Sequence, residues 1–523
     1  MPYKLAGSID WSRLLAISTS IAVAVLTGSG CASRLPTATS LPGTNTSSVL
    51  DTPALARLNR LLDKTLYSAP LETTLWGVDV RSIDRHEQIF TRNQDVLLTP
   101  ASTLKIITLA VASQQLGWND RFETVLFTNG HIERNVLHGD LIARGSGDPT
   151  IGNDVLTSWA QKLRNQGIHQ VNGNIIGDDR VVIGETVRRG NTSPQPRLGF
   201  GWSWDDLAFG FAAQVGPLQY HENVVAIRIT PNRAIDLPAE ISIQNAGSGL
   251  TLINQTTTTS RREPSLIQLQ RSAGKAELMV SGSIGGGTAA IIRPVPVANP
   301  TSFFVQALRE ALEAEGVGVS GNAVDIDHLT KTQQASATNG LQRLLENQSE
   351  PLSTIAVDMM KRSQNLFAES IYRRLGFSFG DRGSAVVAQV LDDWGIQRNR
   401  AIVVDGSGLS RYNYLTASAL TDILVRLYQN ESDQTFFLAT LPIANEDGTL
   451  RNRFGETASA GNAHAKTGSM SHVRTLAGYV KTADGEQLAF SILANNFSAD
   501  PTDVVNAIDD FVSALATMSR GSF

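Results

Sequence analysis

Residues 100–117, PASTLKIITLAVASQQLG, decide how the rest of the chain is read. Pro100 starts a helix and Gly117 stops it, because proline fits the first turn and glycine the end. Between them Ile106, Ile107 and Leu109 belong to a strongly apolar run that predicts a buried helix. Positions i and i+3 share a helix face, so the Lys105 amine can reach the Ser102 hydroxyl. Serine is a poor nucleophile until a neighbouring base takes its proton. A lysine in apolar surroundings is pushed toward its neutral form and can be that base. The first helical turn adds a dipole that favours developing negative charge.

A Ser-x-x-Lys is common by chance, and the chain carries a decoy, Ser272-Ala-Gly-Lys275. Gly274 weakens any helix there, and no apolar run follows. A second candidate, Ser363-Gln-Asn365, lies between the amphipathic segments LSTIAVDMMK and LFAESIYRRLG, as a cleft-forming loop would; its decoy, Ser320-Gly-Asn322, sits in a Gly-Asn turn. The third, Lys466-Thr467-Gly468-Ser469, contains the only Lys-Thr-Gly of the chain. On an edge strand it would offer a cation, a hydroxyl donor and backbone N–H groups, with Gly468 permitting close approach. Those parts can hold a terminal carboxylate and an oxyanion. Taken singly, Ser102 could cap a helix, Asn365 could sit in a turn and Lys466 could be a solvated surface charge. Their order and their compatible local structures argue for one shared site.

Working outward, a helix is expected around Leu55–Leu66, with Leu55, Leu58, Leu61, Leu62 and Leu66 on one face. Short strands are expected at Leu75–Val80 and Gln88–Thr91. Near the other end, VRTLAGYV and QLAFSILANN read as strands joined by the turn Ala483–Glu486, and a helix runs from Pro501 to Leu515. Strands from both ends, with helices beside them, predict a mixed α+β fold: an antiparallel sheet flanked by helices, with large inserted β-rich domains. The expected division is 51–128 with 336–523 for the main domain, 129–221 with 294–335 for an α/β insert, and 222–293 for an all-β insert. Within the insert, WAQKLRNQGIHQVNGNII (159–176) and ALREALEAEGVGVSGNAV (307–324) share a plan of amphipathic helix, Gly, short run, Gly-Asn and strand. Two unrelated helix–strand units would look the same.

The 523 residues carry a net charge of −5 and no basic cluster, which argues against nucleic acid as a partner. Lys4 and Arg13 precede the apolar run Leu14 to Leu26, the pattern of a secretory signal over residues 1–31. The one cysteine, Cys31, follows small residues as in a lipoprotein signal, although Gly28 stands where such signals usually place Leu or Val. Ordinary cleavage, a retained anchor and a lipid on Cys31 all remain open, each with an exported protein in the periplasm or cell envelope. Residues 32–50 read as a flexible tether.

The three motifs in this order resemble those of penicillin-binding proteins and serine β-lactamases. Ser363 and Lys466 are 103 residues apart, similar to the family interval. Ser102 and Ser363 are separated by roughly 200 residues more than a compact β-lactamase needs. A large insertion at that place resembles the low-molecular-mass class C penicillin-binding proteins, the D-alanyl-D-alanine carboxypeptidase/endopeptidases. SGDPT (146–150), GLQRLLENQSEPL (340–352), DGSGLSR (405–411) and LPIANEDGTL (441–450) are also similar to that family. The resemblance implies a serine peptidase acting on peptidoglycan peptide stems, inhibited covalently by β-lactams, with no metal or organic cofactor. It implies that Ser102 attacks the carbonyl of the penultimate D-alanine and Lys105 takes its proton. Ser363 then relays a proton, and Asn365 bonds the peptide or Lys105. Lys466 strengthens the positive field, Thr467 binds the terminal carboxylate, and the N–H groups of Ser102 and Ser469 form an oxyanion hole.

Asp405 could support the cleft from outside or merely hold a polar turn, and Asp178 could face the peptide stem from the insert. His464 lacks an evident acid partner and reads as structural. A serine β-lactamase shares the motifs but wants an added carboxylate near the acyl-enzyme. A catalytically silent wall-binding protein has no need of Lys105. A lipase-like esterase would want G-x-S-x-G, which the residues around Ser102 do not form.

Overall fold

The central sheet follows from residue alternation. Every residue of Gln487–Asn495 is buried. Its Leu488, Phe490 and Ile492 join one apolar cluster, whereas Ala489 and Leu493 join another. Side chains alternate across a strand, so a segment apolar on both faces belongs in the middle of a covered sheet. In the computed structural model it does, paired antiparallel with Leu75–Ser82 on one side and Val473–Lys481 on the other. The strand order is Glu87–Arg92, Leu75–Ser82, Gln487–Asn495, Val473–Lys481, His464–Met470, antiparallel throughout. The structure describes residues 53–178, 196–244, 247–379 and 382–520, with the paired strands Val182–Ile183 and Thr186–Val187. The signal-like segment, Cys31 and the tether lie outside the described residues.

Helices cover both faces. Lys105–Gln115, Leu352–Lys361, Asn365–Phe379 and Ala417–Gln429 pack on one. Pro53–Leu66 and Pro501–Ala516 pack on the other, where Trp76, Phe490 and Phe511 are fully buried. Burying one side chain of that size contributes roughly 1.5–3 kcal/mol. The first helix buries Leu58, Leu62 and Leu66 but leaves Leu61 half exposed, so its inward stripe is narrower than the leucine pattern suggests.

The segment around Ser102 is not the continuous α-helix expected. Ala101–Leu104 form a 3-10 turn, and the α-helix begins only at Lys105. Ala101 has φ of +47°, which takes the chain out of the right-handed region just before the serine. Thr103 donates both its N–H and its hydroxyl to the Pro100 carbonyl, which closes the tighter turn. At three residues per turn, i and i+3 eclipse, which aligns Ser102 and Lys105 more closely than an α-helix would.

In the insertion, a five-stranded sheet runs Ala323–Asp325, Ile175–Asp178, Leu141–Gly145, Glu123–Thr128, Gln342–Gln348. Glu123–Thr128 and Gln342–Gln348, which the expected boundaries assign to the main domain, are therefore strands of this sheet. The two similar stretches form a structural repeat. Gly318–Val319 pairs parallel with Gln170–Asn172, Ala323–Asp325 pairs parallel with Ile175–Asp178, and helices Asn153–Asn165 and Pro300–Ala314 pack together. Each copy buries the apolar face its twin cannot cover alone. Two three-stranded sheets fill residues 224–296, and one apolar cluster runs from them into the repeat.

Candidate active site

The Lys105 amine is fully buried and makes three contacts: Ser102 Oγ at 2.8 Å, Asn365 Oδ1 at 2.7 Å and the Ser407 carbonyl at 2.7 Å. Burial pushes its pKa down from 10.5 to about 7, against the upward pull of Asp405 and Glu369. Neutral, it has two N–H groups for the two carbonyl-type oxygens, which leaves its lone pair for the Ser102 hydroxyl proton. That is the geometry a general base needs.

Ser363 lies in the loop between the helices Leu352–Lys361 and Asn365–Phe379, in the left-handed region with φ of +58°. Its Oγ accepts from Lys466 Nζ at 2.8 Å, and Lys466 also donates to the Thr467 carbonyl at 2.8 Å. Lys466 is fully buried rather than a solvated charge, and its pKa is held well below the usual lysine value by burial and then by Lys105. Asn365 uses its other end to donate to the Phe211 carbonyl at 2.9 Å, tying the insertion to the cleft.

Three of the motif's remaining residues line the edge strand His464–Met470. Thr467 Oγ1 lies 2.7 Å from Thr449 Oγ1, and Ser469 is exposed. At Gly468 a Cβ would come within 2.1 Å of Thr475 Oγ1 and 2.9 Å of both Pro100 O and Ser102 N. The turn that carries Ser102 therefore lies directly against this strand, and Thr475 Oγ1 fastens it by donating to Pro100 O at 2.8 Å. Gly468→Ala is expected to lower the rate of acylation by about a hundredfold, because displacement of a reacting group by about 1 Å costs that much. Overpacking should cost about 1–3 kcal/mol of stability. Stopped-flow labelling beside a thermal melt checks both.

Asp405 is buried at the centre of its own loop. It accepts from Trp202 Nε1 at 3.0 Å, Gly408 N at 2.9 Å, Ser410 N at 2.7 Å and Asn413 Nδ2 at 2.7 Å. The loop so fixed delivers the Ser407 carbonyl to Lys105. Asp178 lies on the insertion sheet, not on an element that carries the motifs, and its carboxylate accepts from Arg144 Nε at 2.6 Å.

Two neighbours of the site carried no motif. Glu369 is buried and accepts from Gly406 N and Ser407 N, each at 2.9 Å, from the opposite side of the same loop. Burial, and next the Asp405 charge, raise its pKa to about 7. It lies four residues beyond Asn365, and that helical spacing was the available signal. Thr449 falls in LPIANEDGTL, but nothing local marked it as the hydroxyl partner of Thr467.

The chain is 30% identical over 471 residues to a D-alanyl-D-alanine carboxypeptidase of Actinomadura sp. (strain R39), covering 87% of this chain and 84% of that one. It is 29% identical over 437 residues to the D-alanyl-D-alanine carboxypeptidase DacB of Haemophilus influenzae, covering 81% and 85%. The crystal structure of penicillin binding protein 4 (dacB) from Haemophilus influenzae superposes with a TM-score of 0.76 at 25% identity, covering 87% of this chain and 99% of that one. Residues 58–517 match the D-Ala-D-Ala carboxypeptidase 3 (S13) family. That span takes in all three motifs, the central sheet that carries the third of them and the insertion between the first two, and the chain belongs to this family of serine peptidases.

Proposed function

We propose that Ser102 forms the acyl-enzyme of this D-Ala-D-Ala carboxypeptidase. Its Oγ bonds to the carbonyl carbon of the penultimate D-alanine while the hydroxyl proton moves to Lys105 Nζ. The oxyanion is met by the N–H groups of Ser102 and Ser469, each worth about 3 kcal/mol. The proton passes by way of Ser363 to the departing amine as the C–N bond breaks. Thr467, in the field of Lys466, holds the terminal carboxylate, and Asn365 keeps Lys105 in place. Water then cleaves the ester and restores Ser102. A β-lactam enters the same reaction but leaves a covalent adduct.

The observation that carries this reading is the buried Lys105 amine, 2.8 Å from Ser102 Oγ and held near neutrality. Residues 51–128 with 336–523, less the strands Glu123–Thr128 and Gln342–Gln348 that belong to the insertion sheet, form the peptidase part in this reading, and the insertion (129–221, 294–335 and 222–293, with those two strands) borders its cleft. The N-terminal segment exports the chain to the periplasm or cell envelope and, uncleaved or lipidated at Cys31, tethers it. Among the described residues no helix is long and apolar enough to cross a membrane.

Defined muropeptides test the assignment. Release of D-alanine from pentapeptide stems, or scission of D-alanine-linked cross-links, should occur and should stop on pre-incubation with penicillin. Rapid turnover of penicillin to penicilloate, with muropeptides untouched, would sink it.

A further inference from the structure

Three consecutive residues just ahead of strand Val224–Thr230 have left-handed backbones: His221, Glu222 and Asn223, with φ of 48°, 56° and 56°. L-residues visit that region singly, because Cβ crowds the neighbouring carbonyl. A run of three persists only where its surroundings over-determine it. Here they do. Asn223 donates to Gln214 O at 2.8 Å and Gln219 Oε1 at 3.1 Å, and accepts from Tyr220 N at 3.1 Å. His221 N donates to Ile151 O at 3.0 Å. Gln219 in turn donates to Gly147 O and to Ser370 Oγ, both at 2.7 Å, which anchors the turn to the helix that begins at Asn365.

The outcome of this construction is the direction of one side chain. Glu222 Oε1 accepts from Arg362 Nη2 at 2.7 Å, and Oε2 accepts from Gln364 Nε2. Those two residues flank Ser363, which is itself left-handed and bonded to Lys466. A strained serine gripped on both sides from another part of the chain is held in place rather than merely packed.

We propose that Glu222 is a positioning residue for the reaction: the insertion braces Ser363 through it, fixing where the relay hydroxyl points. This rests on the relay role given to Ser363 above. The pair itself is partly exposed and so contributes little to global stability. Loss of the brace therefore separates from loss of the fold.

The test is acylation by a fluorescent penicillin over a range of concentrations, which separates initial affinity from the rate of the covalent step. Glu222→Ala should slow the covalent step by about tenfold, through misplacement of Ser363. Initial affinity should hold within about twofold, and the melting temperature within about 2 °C. Glu222→Gln, which keeps the reach and one acceptor, should recover most of the rate. An unchanged covalent rate in Glu222→Ala, a loss confined to affinity, or a loss that follows a fall in melting temperature overturns the brace. Ser363→Ala tells the two levels apart. If it acylates at full speed, the relay reading falls and the brace with it. A slow Ser363→Ala beside a normal Glu222→Ala overturns the brace alone.

Discussion

Ser102→Ala is expected to abolish covalent labelling by a fluorescent penicillin while leaving the fold in place. The serine is half-buried, and among the described residues its hydroxyl is bonded to Lys105. With alanine there, Lys105 keeps Asn365 and the Ser407 carbonyl, and no core volume is lost. The melting temperature should therefore shift by less than about 2 °C. Ser272→Ala, in the decoy, should label normally. Ser272 sits in an exposed turn closed by Lys275 N to Ser272 O at 3.2 Å, with the Lys275 side chain directed toward Glu277. Labelling lost in Ser272→Ala, or retained in Ser102→Ala, would show that the wrong serine had been chosen.

Lys105→Met should slow acylation by about a thousandfold, within the range that a positioned proton acceptor supplies. In the unaltered enzyme the rate should climb about tenfold per pH unit below neutrality and level off with a midpoint near 7, because only the neutral amine accepts the proton. The same group leaves a signature in stability. Its pKa falls from 10.5 in the unfolded chain to about 7 in the folded one. Between those values the unfolded chain binds more protons, so stability rises with pH across that window and the full cost of the buried charge is felt below it. Whatever the absolute difference, the unaltered enzyme should gain on Lys105→Met in thermal melts as pH goes from 7 to 9. A flat rate profile between pH 6 and 9, or a methionine variant that acylates normally, would remove Lys105 as the base.

The elements that made the fold legible are those with local rules. Apolar runs on either side of the turn Ala483–Glu486 marked Val473–Lys481 and Gln487–Asn495 as strands, and the spacing of Val504, Ile508, Phe511 and Leu515 marked the last helix. Ser102, Lys105, Ser363, Asn365 and Lys466 stood out because they are particular residue types at fixed short spacings; the structure joins Ser102 and Asn365 to Lys105, joins Ser363 to Lys466, and sets the two lysines within electrostatic reach of each other. What escaped depends on distant contacts. The 3-10 turn at Ala101 follows from fastening to Thr475 and from the close approach of Gly408, whose added Cβ would lie 2.0 Å from Ala101 O. No window around residue 101 contains that information. Glu222 and Trp202 reach toward the site from the insertion, and Asp178, which stood out beside a Gly-Asn strand, bonds Arg144 on the insertion sheet.

The neighbour relation between Leu75–Ser82 and Gln487–Asn495 has a consequence for biogenesis. Ser102 is synthesised early, but the strand that completes the central sheet arrives almost four hundred residues later. Contacts so distant in sequence form slowly, because loop closure precedes any reward from pairing. A chain still short of residue 487 thus lacks the central strand of the sheet against which the turn of Ser102 rests. On the proposed reading, the site is complete only after the carboxyl-terminal hairpin has docked.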